Sequence, residues 1–248
     1  MPLQAYHRPE SVEAALALLG RSHVRTAVIA GGTHITPRLK EDVDEVVDLQ
    51  AVGRDEVQHT ETGMTVGAMV RLQSIVDDEN APELLRQTAH SVGPNTFRHQ
   101  GTVGGAFVAA DATSELLAAL LVHQAQVTVA NDDGERQMSL SEFLSDTTKA
   151  LNGGLLTSVS LVKTGTAARA RVARTPADAP IVAAAGRRDT GGALYLALCG
   201  VASTPILAQE QDLNTLTPPA DFRGSSEYRR EMAKVLAERV LREVREAS

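Results

Sequence analysis

The sequence predicts an α+β protein in three parts. Three observations lead there. Strand-like and helix-like segments mix through the middle of the chain, as they do in α+β domains. Three short apolar segments separated by turns follow between residues 170 and 199, the signature of a small antiparallel sheet. One long amphipathic helix closes the chain after residue 225.

The elements follow in order. Ser11 to Leu19 reads as a short helix with Ser11 as N-cap, Val12, Ala15, Leu16 and Leu19 on one face, and Gly20 as its stop. Thr26 to Ala30 is a compact apolar strand running straight into Gly31-Gly32-Thr33, and Val43 to Leu49 reads as the next strand. Residues 1–55 thus form a small α/β lobe. A larger mixed lobe spans 56–163, with a strand at Thr65–Ala68, helices at Arg71–Val76 and Pro82–Ser91, and a loop from Gly93 to Gly105. It continues with an apolar helix at Ser114–Val122 and a hairpin of Gln126–Ala130 and Glu135–Leu140 turned by Asn131 to Gly134. Leu155 to Val162 alternates as a strand. Thr164 to Ala168 is the best linker. Residues 168–248 form a C-terminal unit with strands at Ala170–Ala173, Ile181–Gly186 and Ala193–Cys199, a turn at Gly191-Gly192, and a helix from Ser226 to Glu246. Ser226 is its expected N-cap, with Met232, Val235, Leu236, Val240 and Val244 as the buried face.

Composition excludes several kinds of chemistry. Hydrophobic residues are 43% and charged residues 22% of the 248, an ordinary globular balance. The net charge of -7 argues against a nucleic-acid surface, and 3% aromatic content without Trp argues against base-stacking platforms. The basic stretches Arg169–Arg174 and Arg223–Arg230 are short, and Arg229, Arg230 and Arg242 read as a solvated helix face or a partner surface. One cysteine, Cys199, cannot build an iron–sulfur cluster, a Cys-rich zinc site or a disulfide; inside an apolar strand it reads as a small core residue. The seven histidines have no paired ligand spacing, so no metal site is expected, and His99 and His123 read as bystanders. Asp111, Glu115 and Asp178 make no acid/base pair, so no catalytic residue is assigned. No apolar run approaches the ~20 residues of a membrane span. Met1 to Pro9 lacks the apolar core of a signal peptide, and a cytoplasmic location is expected.

Two glycine turns carry the chemistry that remains. In Val28-Ile29-Ala30-Gly31-Gly32-Thr33-His34-Ile35 a strand delivers the chain to paired glycines, where backbone N–H groups can approach an anion and Thr33 adds a hydroxyl. Gly101-Thr102-Val103-Gly104-Gly105 repeats the arrangement, with Asp111, Ser114 and Glu115 downstream. Two such turns suit the two ends of a pyrophosphate. Neither matches the G-x-G-x-x-G or P-loop fingerprint. From the residues alone the reading stops at two anion-friendly turns in an α+β protein.

The order and flanks of these turns resemble the FAD-binding medium subunit of the xanthine dehydrogenase and carbon monoxide dehydrogenase family of molybdenum hydroxylases. The likeness rests on Tyr6–Leu19, on Ala30–His34 with Pro37 and Leu39-Lys40, on Arg98–Gly105 with Ala110-Asp111 and Ser114–Leu116, and on Gly153–Leu161. It extends through Arg171–Asp178, Gly200–Pro205 and Arg223–Arg230. The resemblance implies a two-lobed FAD-binding domain of the vanillyl-alcohol oxidase and p-cresol methylhydroxylase type, with FAD between the first two lobes. It implies that Val28, Ile29, Ala30, Gly31, Gly32, Thr33, His34 and Ile35 wrap the FAD pyrophosphate, with Thr102, Gly104 and Gly105 completing the cradle. Glu115 falls where the family has an acidic residue near the cofactor, and Leu156 where it has an aliphatic contact. Arg171 lies at or beside a position often held by Lys, where a cation would stabilise an anionic reduced flavin; Arg169 is the other choice.

The implied function is electron transfer in a molybdenum-containing dehydrogenase. A large molybdopterin-binding subunit would oxidise the substrate, and 2Fe–2S clusters in a small subunit would pass electrons to FAD here and on to an external acceptor. The rivals are a scaffold subunit that has lost flavin and a stand-alone FAD-dependent oxidase. The chain departs from the family pattern at Ala106 (commonly Asn), Ala112 (commonly Pro), Gly154 (commonly Glu), and at Arg169-Ala170 where an aromatic is often found. These departures spare the pyrophosphate cradle and alter the surroundings of the isoalloxazine ring. Gly104→Val is therefore expected to abolish flavin binding with the fold largely intact.

Overall fold

The computed structural model describes residues 3–34 and 43–247. The chain opens with β1 (Ala5–His7), α1 (Val12–Leu19), β2 (Thr26–Ile29) and β3 (Glu45–Asp48). The strands form a parallel sheet in the order β1-β3-β2, with Val47 opposite both His7 and Val28. Ser11 caps α1 by accepting a hydrogen bond from the Ala14 N–H at 3.1 Å, and Gly20 closes it. Val12, Ala15 and Leu16 of α1 pack on Val47 and Leu49, and the same core takes in Met69, Ala130 and Leu155 from the next layer. The first sheet is thereby locked to the second.

The second layer holds β4 (Val57–His59), β5 (Gly63–Gly67), α2 (Leu72–Asp77), α3 (Glu83–His90), α4 (Asn95–Gln100), α5 (Val103–Ala109) and α6 (Glu115–Val122). It continues with β6 (Gln126–Asn131), β7 (Gly134–Ser139), α7 (Leu140–Ser145), α8 (Thr147–Leu151) and β8 (Leu155–Val162). Its strands make an antiparallel sheet in the order β4-β5-β8-β6-β7. The expected loop from Gly93 to Gly105 is a correction: most of it is helical, in α4 and the start of α5. Glycines disfavour a helix by ~1 kcal/mol each, which hides α5 from propensity. Packing overrides this at Gly104, where a Cβ would lie 2.9 Å from both Cβ and O of Ala68. The helix can press on the end of β5 only because that position lacks a side chain.

The third layer is β9 (Thr166–Val172), β10 (Val182–Arg188), β11 (Leu194–Cys199), β12 (Ile206–Ala208) and α9 (Ser226–Glu246), with sheet order β12-β11-β10-β9. The expected linker at Thr164–Ala168 is instead largely the start of β9, and a fourth strand extends the expected three. Alanine carries little strand signal alone, so Ala167 and Ala168 are recognisable as strand only beside their partners Arg187 and Gly186. Ser225, not Ser226, caps α9. Val235 is 45% exposed, and Ala233, Ala237 and Leu241 join Leu236, Val240 and Val244 on the buried face. The sheet is covered on both sides. Ala184 and Val182 face α9, whereas Ala183 and Ala185 share a core with Leu116 to Val122 of α6.

Arg229 also corrects the sequence reading. It is buried, not part of a solvated face. Its Nη1 donates to Ile181 O and Gly200 O, both at 2.8 Å, and its Nη2 lies 2.6 Å from Asp221 Oδ1. No helix among the described residues is long and apolar enough to cross a membrane.

Candidate functional site

The two glycine turns, far apart in sequence, touch. A Cβ on Gly31 would lie 1.9 Å from Gln100 O and 3.0 Å from the Gly101 Cα, so only glycine lets the end of β2 rest on the chain entering α5. Gly32 follows with φ +73°, the left-handed region that turns the chain sharply out of the strand. Thr102 caps α5, its hydroxyl accepting from Gly105 N–H at 3.1 Å. Val103 N–H donates to Val70 O at 2.9 Å and Gly104 N–H to Ala68 O at 2.8 Å. The first N–H groups of α5 are therefore committed within the protein, and this turn offers a ligand shape and a hydroxyl more than free donors. No hydrogen bond to another described residue takes up the N–H of Gly32 or Thr33.

Two cavities meet at this contact. The first, about 230 Å³, is walled by Val28, Ala30, Met69, Val108, Leu151 and Leu155 among others. The second, about 170 Å³, is walled by Ser91, Phe97, Ala106, Asp111, Glu115 and Pro180 among others. Thr33, His34, Thr102, Gly105 and Ala109 line both, so they form one bent cleft. Neither half reaches the ~300 Å³ lower end of ordinary ligand sites, and together they do.

The structure brings most of the expected residues to this cleft. Val28, Ala30, Gly31, Gly32, Thr33, His34, Thr102, Gly104, Gly105 and Leu156 line its first arm, and Glu115 lines the second. Ile29 and Arg171 line neither arm, and Ile35, with Pro37 and Leu39-Lys40, lies outside the described residues. Sequence reading missed Met69, Ser91, Phe97, Ala109, Leu155, Ala179 and Pro180. They are small or apolar residues with no local signature, and only the meeting of distant elements makes them wall residues.

The departures from the family pattern acquire physical sense here. At Gly154 a Cβ would meet Ala130 O at 2.3 Å and Leu151 O at 2.9 Å, so no side chain fits between α8 and β6. Ala106 lines the second arm, where a larger polar residue would occupy cavity space.

The second arm is electrostatically organised. Ser114 caps α6 and sets Glu115 in its first turn, nearly buried. Arg169 and Arg171, two apart on β9, project from one strand face toward it. Arg169 Nη1 donates to Glu115 Oε2 at 3.1 Å and to Ser91 Oγ at 3.0 Å. Arg171 Nε lies 3.1 Å from Glu115 Oε1, close enough for an ion pair but misdirected for a hydrogen bond. The carboxylate is thus balanced by two guanidinium groups. Nearby, burial pushes the Cys199 thiol far above its usual range, reinforced by the Glu115 charge. The thiol stays protonated and unsuited to nucleophilic attack.

Residues 2–161 match the family model described as the FAD binding domain in molybdopterin dehydrogenase. The chain is 28% identical to the glyceraldehyde dehydrogenase medium chain of Sulfolobus acidocaldarius, over 98% of this chain and 99% of that one. It is also 28% identical to the carbon monoxide dehydrogenase medium chain of Afipia carboxidovorans, over 95% and 94%. Its fold matches a chain of the carbon monoxide dehydrogenase structure from Hydrogenophaga pseudoflava with a TM-score of 0.88 at 21% identity, covering 98% of this chain and 97% of that one.

Proposed function

The chain belongs to the family of FAD binding domains in molybdopterin dehydrogenase, and from that premise we propose that it is the electron-transfer subunit of a molybdenum-containing dehydrogenase. In this reading it takes electrons from 2Fe–2S clusters of a small partner subunit and delivers them to an external acceptor. A large molybdopterin-binding subunit oxidises the substrate. The observation that carries the reading is the contact of the two glycine turns at the bend of one cleft, where the Gly32 and Thr33 N–H groups, without a partner among the described residues, stand beside two threonine hydroxyls.

The residues present fit FAD. A Cβ on Gly31 would strike Gln100 O and part the two turns, Gly32 takes the positive φ that bends the chain into the cleft, and the first arm offers apolar walls without a charged side chain among the described residues. The N–H groups of Gly32 and Thr33, with the Thr33 hydroxyl, would hold the pyrophosphate. Thr102, Gly104 and Gly105 would shape its other side. Leu156 and Val28 would exclude water from the first arm, and Glu115 would present a carboxylate oriented by Arg169 in the second. Bound FAD supplies the redox chemistry, accepting electrons singly or in pairs, and the protein supplies position and electrostatics.

The test is purification of the native protein from its source. FAD should be released on heating, and iron, molybdenum and two partner chains should co-purify. Release of FMN alone, or no binding of added FAD, would overturn the cofactor assignment. A single chain carrying full dehydrogenase activity would overturn the division of labour.

A further inference from the structure

The loop of residues 173–180 joins β9 to β10 and carries Ala179 and Pro180 into the wall of the second arm, across from Glu115. Its base is closed by Ile181 N–H donating to Val172 O at 2.8 Å. Within it, the only backbone bond among the described residues is Asp178 N–H to Thr175 O at 3.2 Å. Pro180 is buried at one end of the loop, but Arg174 to Ala179 are exposed, so core packing does not hold that stretch in place. One side chain does. Arg171 Nη1 donates to Pro176 O at 2.9 Å and Nη2 donates to Asp178 O, while Nε sits 3.1 Å from Glu115 Oε1.

We infer that Arg171 is a positioning residue that latches the 173–180 loop to Glu115 and so closes the second arm of the cleft, instead of acting as a cation toward the ligand. A guanidinium is suited to this task. Its planar fork reaches two carbonyls on one side and a carboxylate on the other, whereas a lysine ammonium is a single point charge. Arg171 does not line the arm; the loop it holds does. The latch therefore sets how open that end of the cleft is to solvent and to small acceptors. This consequence rests on the FAD reading, while the latch itself does not.

Trypsin reports the latch directly, because Arg174 lies exposed within the loop and is followed by Thr175. Cleavage there gives fragments 1–174 and 175–248, which mass spectrometry identifies. The full chain without added cofactor is digested as wild type, Arg171→Gln and Arg171→Lys. Both variants should be cut at Arg174 about tenfold faster than wild type, the change expected when charge-assisted hydrogen bonds holding a loop are lost and cleavage tracks the open population. Lysine should not rescue, because it keeps the charge but not the fork. Cutting of Arg171→Lys at the wild-type rate would overturn the latch in favour of a simple charge. Glu115→Gln, which leaves both loop carbonyls bonded to Arg171 but removes the counter-charge, should be cut at an intermediate rate; a wild-type rate would remove Glu115 from the latch.

A second arm adds FAD to each protein. In wild type FAD should slow cleavage at Arg174, and iodide should quench bound flavin more strongly in both Arg171 variants than in wild type. If FAD binds but neither changes, the loop does not cover the ligand and the access role falls. If FAD fails to bind wild type, the cofactor reading falls, and the digestion without cofactor still decides the latch.

Discussion

At Ala109 a single methyl faces both arms of the cleft from the last turn of α5, and it is only partly buried. Ala109→Leu would place three more carbons in ligand space without displacing core. We expect FAD affinity to fall at least about tenfold, roughly 1.4 kcal/mol, while the ligand-free melting temperature stays within about 2 °C of wild type. Unchanged FAD affinity by fluorescence titration would move the cofactor elsewhere. Gly104→Val is the poorer probe. Its Cβ would collide with Ala68, so we expect loss of binding accompanied by destabilisation of about 1–3 kcal/mol, read as a lower denaturation midpoint. His123, a bystander by sequence, is a buried residue at the end of α6, with Nδ1 2.6 Å from Val162 O and Nε2 without a partner. Burial lowers its pKa from 6.5 to about 4, with the Val162 carbonyl opposing and the Arg187 charge assisting. The unfolded chain binds the extra proton between those values, so stability present at neutral pH drains away as pH falls from about 6.5 to about 4. The full effect is on the order of 3 kcal/mol. The carboxyls of Asp44 and Asp221, held low by hydrogen bonds from Arg25 and Arg229, would be lost only below their ordinary value of 3.8, under this window. Urea midpoints at pH 7.5 and 5 should converge for His123→Gln relative to wild type; an equal pH slope in both would remove His123 as the cause.

The helices divide into those declared by their own residues and those created by neighbours. α1, α3, α6 and α9 are legible because they carry a 3.6-residue apolar pattern or a continuous apolar run with a capping serine or an initiating proline. α4 and α5 are not, because α4 is mostly polar and α5 has two glycines in its first turn, and their stability comes from packing on β5 and from Arg98. That buried guanidinium donates to Gln73 Oε1 at 2.8 Å and to His90 O at 3.1 Å, tying α4 to α2 and α3. The same logic governs α9. Its periodicity locates the helix, but the burial of Arg229 depends on the loop carbonyls of Ile181 and Gly200 being aimed at it. Arg229→Leu leaves both carbonyls without their donor, while the exposed Asp221 carboxylate keeps Arg223 at 3.2 Å. We expect a loss of about 1–3 kcal/mol, measured by chemical denaturation, with the helix content of any folded fraction preserved. A loss below about 1 kcal/mol would mean that water replaces the guanidinium without cost.

Across the whole molecule, three sheets are joined by shared cores instead of linkers: α1 and β3 share one with β6 and β8, and α6 shares another with β10 and β11. A ligand seated between the first two layers should stabilise both together. Saturating wild type at about 100 times its dissociation constant should add about 2.7 kcal/mol, or roughly 5–11 °C in melting temperature for a chain of this size. No shift with FAD would contradict a cleft site between layers. The sequence by itself determined the α+β class, the hairpin turned at Asn131–Gly134, strand β8, and the two glycine turns, because each is written in local periodicity or in residues with one conformational use. It determined FAD chemistry only through the ordered resemblance of several motifs. The tertiary structure decided that Gly31 rests on Gln100, that Ala109 and Pro180 become cleft walls, and that Arg171 turns to loop carbonyls. The first two join residues tens of positions apart, where small or apolar side chains carry no local mark of the neighbours they will meet, and the third follows the path of a loop that no periodicity describes.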